Sequence, residues 1–196
     1  MADGKVLTGF SLPYVAKYAC SQGTVSYSNG QKLARGVDVT ISPEASEDNI
    51  FYADNIEAEN ANGTLTGGTL SLTVDGLLTA AEKLIMGLPS AVDSWTAYDD
   101  DQAIPDVGVG FIARYMSGGV TSYTAIVLPR VQFNQLELSA ATQEEEIDWQ
   151  TQALEAQIKR TEEAKHPWKY VSSDQTSESA AEALIKTKLG ISTSTT

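Results

Sequence analysis

The chain has 196 residues, which suits one sizeable domain with short arms and is cramped for two. With 42% hydrophobic and 20% charged residues, wholesale disorder is excluded. Twenty-six acids against 13 bases give a net charge of −13, which excludes tight duplex binding, since that depends on phosphate neutralisation, but not nucleic acid sliding past.

The charge is unevenly spread. Between Arg35 and Arg114 fourteen acids stand against one base, Lys83, so this stretch holds the whole excess. The single cysteine, Cys20, cannot form an internal disulfide, and the start Met1-Ala2-Asp3-Gly4-Lys5 lacks the apolar run of an export signal. No window reaches the roughly 18 apolar residues of a membrane span. The expectation is assembly in a reducing cytoplasm, with no membrane partner.

In chain order, residues 1–11 read as an N-terminal arm, 12–172 as a β domain, and 173–196 as a helix with a disordered tail. Leu12 to Ala19 is expected as a first strand. Thr24 to Tyr27 and a run ending near Ser42 predict a hairpin turning at Ser28-Asn29-Gly30. In its second strand Val37, Val39 and Ile41 share one face, opposite Asp38 and Thr40. Pro43 to Asp48 reads as an acidic turn. On either side of Asn62-Gly63, the runs 49–60 and 64–75 alternate apolar and polar residues and predict a long acidic hairpin.

Thr79-Ala80-Ala81-Glu82 matches a capping box and Gly87 a left-handed helix end, so a helix is predicted over about 80–86. Residues 90–106 form a long acidic loop with Trp95, Tyr98 and Asp99-Asp100-Asp101, and loops of that length are usually functional or mobile. Val107 to Met116 and Val120 to Leu128, around Ser117-Gly118-Gly119, predict a hairpin apolar on both faces, hence central in a sandwich or barrel. Pro129 should break its ladder before Arg130 to Leu138, and the shifted phase of Leu136 and Leu138 suggests a bulge near Asn134.

Residues 142–160 fit two templates. Ile147, Thr151, Leu154 and Ile158 have helical spacing, whereas the alternation around Trp149 suits a strand. His166 to Val171 reads as a last strand. A second capping box, Ser179 to Glu182, predicts a helix over about 180–189 with Gly190 as its stop.

Catalytic and ligand-binding motifs are absent from this reading. His166 beside Pro167 has no second His or Cys cluster to make a metal site or triad. Gly108 to Ala113 matches a dinucleotide pattern in letters, but a strand follows the glycines. Asp99-Asp100-Asp101 lacks the alternating ligands and closing Glu of a calcium loop. The consecutive Glu144-Glu145-Glu146 cannot face one another across a substrate. Trp95, Trp149 and Trp168 read as core or interface anchors. No enzyme activity, cofactor or metal is expected.

Phe51-Tyr52-Ala53-Asp54-Asn55, the Gly63 to Leu72 segment, Gly110 to Arg114 with Ser117-Gly118-Gly119, and Val131-Gln132-Phe133 before an acidic run occur in that order. Together, over roughly residues 12–160, they resemble the phi13-type major tail proteins of long-tailed bacteriophages. That resemblance implies a tail-tube-type β-sandwich or partial barrel with a flanking helix, and it favours strands within 142–160. It also implies a virion subunit whose hexameric rings stack into the conduit for genome ejection.

The implied partners are other copies of the chain, the tape measure, tail terminator and distal tail proteins, and phage DNA passing without specific binding. Asp54, Glu57 and Glu59 become candidate lumen residues, since an acidic lumen repels phosphates. Phe51, Tyr52, Asn55 and Trp95 become candidates for contact between subunits. The rival readings are a ring protein of a secretion or contractile-tail system and a carbohydrate-binding or adhesin-like sandwich.

Overall fold

In the computed structural model, residues 4–47, 49–53, 56–61, 63–142 and 149–192 are described, with the backbone alone for 49–53 and 56–61. Two-residue alternation governs most of them, giving β1 (Val6–Ser21), β2 (Thr24–Lys32), β3 (Gly36–Ala45), β4 (Asn49–Ala53), β5 (Ile56–Ala61) and β6 (Leu65–Val74). After α1 (Thr79–Met86) come β7 (Val107–Ser117), β8 (Val120–Phe133), β9 (Gln152–Ile158), β10 (Tyr170–Val171) and α2 (Glu178–Lys188). The fold is mainly β, with the two expected helices.

Eight strands form one antiparallel sheet in the order β2-β1-β7-β8-β9-β6-β3, with β10 added on β8. The sheet rolls up without closing into a barrel. Strand β8 joins its two halves, pairing along most of its length with β7 and through Val131, Gln132 and Phe133 with β9. Strand β3 comes back against β1, where the Phe10 ring lies on Gly36 at a spot with no room for a side chain.

The roll encloses one apolar cluster, including Val15, Leu72, Val109, Phe111, Leu128 and Leu154, closed at one end by Ile85 and Met86 of α1. Outside it a second cluster joins Tyr14, Ile112 and Val127 to Ala181, Ile185 and Leu189. Strand β7 is therefore covered on both faces, as its sequence predicted. The glycines of the false dinucleotide pattern make the bed for α2: a Cβ on Gly110 would lie 2.6 Å from Ile185 Cγ2, and one on Gly108 2.8 Å from Leu189 Cδ2.

Several expectations are corrected. Residues 6–11, read as part of an arm, pair with β7, beginning Val6 to Met116. The first hairpin turns at Gln22 (φ 51°) and Gly23 (φ 75°), whose left-handed backbone suits a two-residue turn, and not at Asn29-Gly30. Strand β2 continues through Asn29 (φ 53°), where its register against β1 slips by one residue between Val15 and Lys17, and Gly30 is where Ile191 presses on the strand. Val37 leaves its predicted face because the register slips between Gly36 and Asp38, so it is exposed while Val39 and Ile41 pack on the inner cluster. Pro43 lies within edge strand β3, where a missing amide costs little. Pro129 likewise does not end β8: it sits at a register shift, which carries the inward phase from Ile126 and Leu128 to Val131 and Phe133. The bulge expected near Asn134 thus lies about four residues earlier, and the chain beyond Phe133 is no longer strand.

Neither capping box forms. Leu78 precedes α1 and caps it with no side chain, while the Glu82 carboxylate accepts the Tyr98 hydroxyl at 2.7 Å; Gly87 ends the helix at φ 67° as expected. Helix α2 starts two residues early, with the Ser177 hydroxyl accepting from Ala180 N at 3.2 Å, because Glu182 is taken by Tyr14 and Lys186. Within the ambiguous stretch, Leu154, Ala156 and Ile158 alternate inward, so β9 is a strand; Ile147 and Glu144 to Glu146 lie outside the described residues.

Candidate assembly surface

The most distinctive feature is the far end of the β3–β6 pair. The long hairpin expected around Asn62-Gly63 does not form: β6 pairs with β3 on one side and β9 on the other, and β4 pairs with β5. The β3–β6 ladder runs from Gly36–Val74 to Ala45–Leu65, and Ser46 N then donates to Thr64 O at 2.9 Å. Beyond that point the chain forms a separate two-stranded ribbon. The physical reason for the misreading is that alternation marks a strand without naming its partner.

Four candidate residues come together in this ribbon, since Phe51 pairs with Glu59 and Tyr52 with Glu57. Asp54 and Asn55 lie outside the described residues, as does Asn62. Trp95 belongs to a different region, the connection between α1 and β7.

That connection is tied down. Tyr98 donates to Glu82, and Gln102 Nε2 donates to Met86 O at 2.8 Å. Desolvation, then the neighbouring Glu82 carboxylate, push the Tyr98 pKa up to about 12. At the outer end of the connection Val92 and Trp95 exchange backbone hydrogen bonds of 2.8 and 2.9 Å around Asp93 (φ 49°) and Ser94 (φ 71°). Two non-glycine residues in the left-handed region make a strained turn. The turn displays Val92 at 73% and Trp95 at 81% exposure.

Near the base of the connection lies a concavity whose lining includes Leu84 of α1, Leu88 just past its end, Pro89, Pro105, and two lysines, Lys17 and Lys83. No local pattern marks these lysines as neighbours, because they are far apart in the chain. A second groove runs along Asn134 to Ser139 and Gln150 to Glu155, with Asp75 at its end.

Asp106, counted above only as one acid of the excess, proves to be an interior anchor. Its carboxylate takes Arg130 Nε at 2.7 Å and Lys159 Nζ at 2.8 Å, and Arg130 reaches on to Glu162 at 3.0 Å. Burial alone raises the Asp106 pKa, but the hydrogen bonds from Lys159 and Arg130 outweigh it and hold the group below the ordinary carboxylate value. On the outer face α2 is latched by Tyr14 to Glu182 at 2.5 Å, by Lys186 to Glu182 at 2.7 Å and by a short Ser11–Glu178 bond. The last strand is pinned nearby, with Lys5 and Thr124 both on Asp174. Hydrogen bonds from Lys186, then Tyr14, lower the Glu182 pKa, and those from Lys5, then Thr124, lower that of Asp174.

Among the described residues no group of three His, Cys, Asp or Glu side chains is placed to hold a metal ion, and no helix is long and apolar enough to cross a membrane. His166 Nδ1 lies 2.9 Å from Thr161 O within a turn. Trp149 is exposed, whereas Trp168 packs partly against the inner cluster. No protein-family model matches the chain and no curated protein matches it, so the functional reading rests on the residues and their geometry.

Proposed function

We propose that the chain is a structural subunit of a bacteriophage tail tube, closing into hexameric rings that stack into the hollow conduit for genome ejection. In this reading it has no catalytic role and belongs to the virion tail after assembly in the host cytoplasm. Its partners are copies of itself, the tape measure, tail terminator and distal tail proteins, and the DNA that passes through.

The observation that carries the proposal is the β4–β5 ribbon, two strands paired with each other at the tip of the β3–β6 hairpin. An isolated two-stranded ribbon is marginally stable in water, so one kept at the end of an ordered hairpin calls for a partner surface. The edges of β2 and β3 add two open strand borders, which suit head-to-tail joins between copies. The acidic excess fits a wall along which DNA must not stick.

Electron microscopy of the concentrated purified protein tests the proposal. Rings or tubes about a hundred ångströms wide are expected, from six domains of ordinary radius around a channel. A protein that stays monomeric at every concentration overturns it. Neutralising Asp54, Glu57 and Glu59 together should leave tubes intact and slow DNA release, and unchanged release kinetics remove these residues from the lumen.

A further inference from the structure

The Val92 to Trp95 turn and the lysine-lined concavity carry opposite charge, and each offers apolar side chains beside it. The turn offers an indole and an isopropyl group on a two-residue tip beside Asp93, and the same connection carries Asp99, Asp100 and Asp101. The concavity offers the apolar side chains of Leu84, Leu88 and Pro105 next to Lys17 and Lys83. Neither lysine has an ion-pair partner among the described residues, and Lys83 is the one base in the acidic stretch between Arg35 and Arg114. Trp95 at 81% exposure does not fill the concavity of its own chain.

From this we infer that the Trp95 turn of one copy docks in the Lys17/Lys83 concavity of a second copy, Trp95 against the leucines and Asp93 facing the lysines. The inference rests on the self-assembly proposed above and names the surfaces that carry one of its contacts.

The turn is prepared for that role. Tyr98 on Glu82 and Gln102 on Met86 O fix the connection to α1, and the reciprocal Val92–Trp95 bonds hold the tip, so little freedom is lost on docking. A tryptophan entering a pocket with a charged rim is the commonest anchor of an interface, and the opposite charges set its register. Donor and receptor are different patches, so the contact can propagate from copy to copy, as a ring or a stack requires.

The test uses the full chain in a Cys20→Ser background. One preparation carries Ser94→Cys and the other, enlarged by a tag, carries Ser90→Cys on the wall of the concavity. Mixed at an assembling concentration and oxidised, they should give a reducible disulfide dimer of mixed size. Trp95→Ala and, separately, Lys83→Glu should each raise the concentration needed for assembly at least about tenfold, the scale of losing one interface anchor. Tubes that form without the mixed dimer, or a Trp95→Ala chain that assembles like the wild type, overturn the inference and leave the tube proposal standing. A wild-type chain that never self-associates overturns both.

Discussion

Two hairpins of this protein are built from similar strands and end in opposite ways. Strands β7 and β8 close at once through Gly118 (φ 55°) and Gly119 (φ 80°), and their middles are buried between the inner cluster and α2. Strands β3 and β6 open at Ser46 and Thr64 into a separate two-stranded ribbon, and β3 has a strand on one side only. The first hairpin invests its residues in stability. The second exposes charge, backbone and ends, the features of a surface waiting for a partner.

Removing packing from the first hairpin should therefore have the largest effect on folding. Phe111 is 2% exposed and meets Phe10 edge-on at 5.4 Å between ring centres, so Phe111→Ala should destabilise by about 3–5 kcal/mol in urea unfolding. Replacing residues 47–63 by Asn-Gly should change the same measurement by less than about 1 kcal/mol while abolishing the self-assembly proposed above. If the two changes cost the same, the division of labour between the hairpins is wrong.

The next effect in size comes from Asp106, which ties the start of β7 to β8 and β9. Asp106→Asn should cost on the order of 2 kcal/mol at pH 7, discounted from a fully buried pair because Lys159 is about a third exposed. Its pKa is lowered in the folded protein, so its contribution is complete above the ordinary carboxylate value near about 4 and is lost as pH falls through the lowered one. Urea midpoints of wild type and variant taken across pH should thus begin to approach each other below about pH 4 and meet once pH has fallen through the lowered pKa. A constant gap down to pH 2 would show that shape, and not charge, is what the asparagine lacks.

Strand content was readable wherever alternation met burial on both faces, as in β7, β8 and β9, and the glycine ends of both helices were readable because a left-handed terminus demands that residue. Partner choice was not. Asn29-Gly30 and Asn62-Gly63 are equally good turn letters. The first became a strand position under Ile191, and β6 after the second went to β3 and β9, decisions made by contacts distant in sequence. The candidate surface was legible to the same extent. Phe51, Tyr52, Glu57 and Glu59 do share one ribbon, but the Lys17–Lys83 concavity has no local signature.

The smallest predicted effect separates letters from geometry at the helix starts. Both Thr79 to Glu82 and Ser179 to Glu182 read as capping boxes, yet only Ser177, outside both, accepts an amide of the first turn of its helix. Ser177→Ala should destabilise by about 1 kcal/mol, the usual worth of one capping bond, whereas Thr79→Ala and Ser179→Ala should be neutral within a few tenths. Thermal melts of the three variants decide it. A loss at Thr79 equal to that at Ser177 would restore the capping box at α1 and free Glu82 from Tyr98. The connection carrying Trp95 would then be held by Gln102 alone, and its fixed turn would no longer follow from the fold.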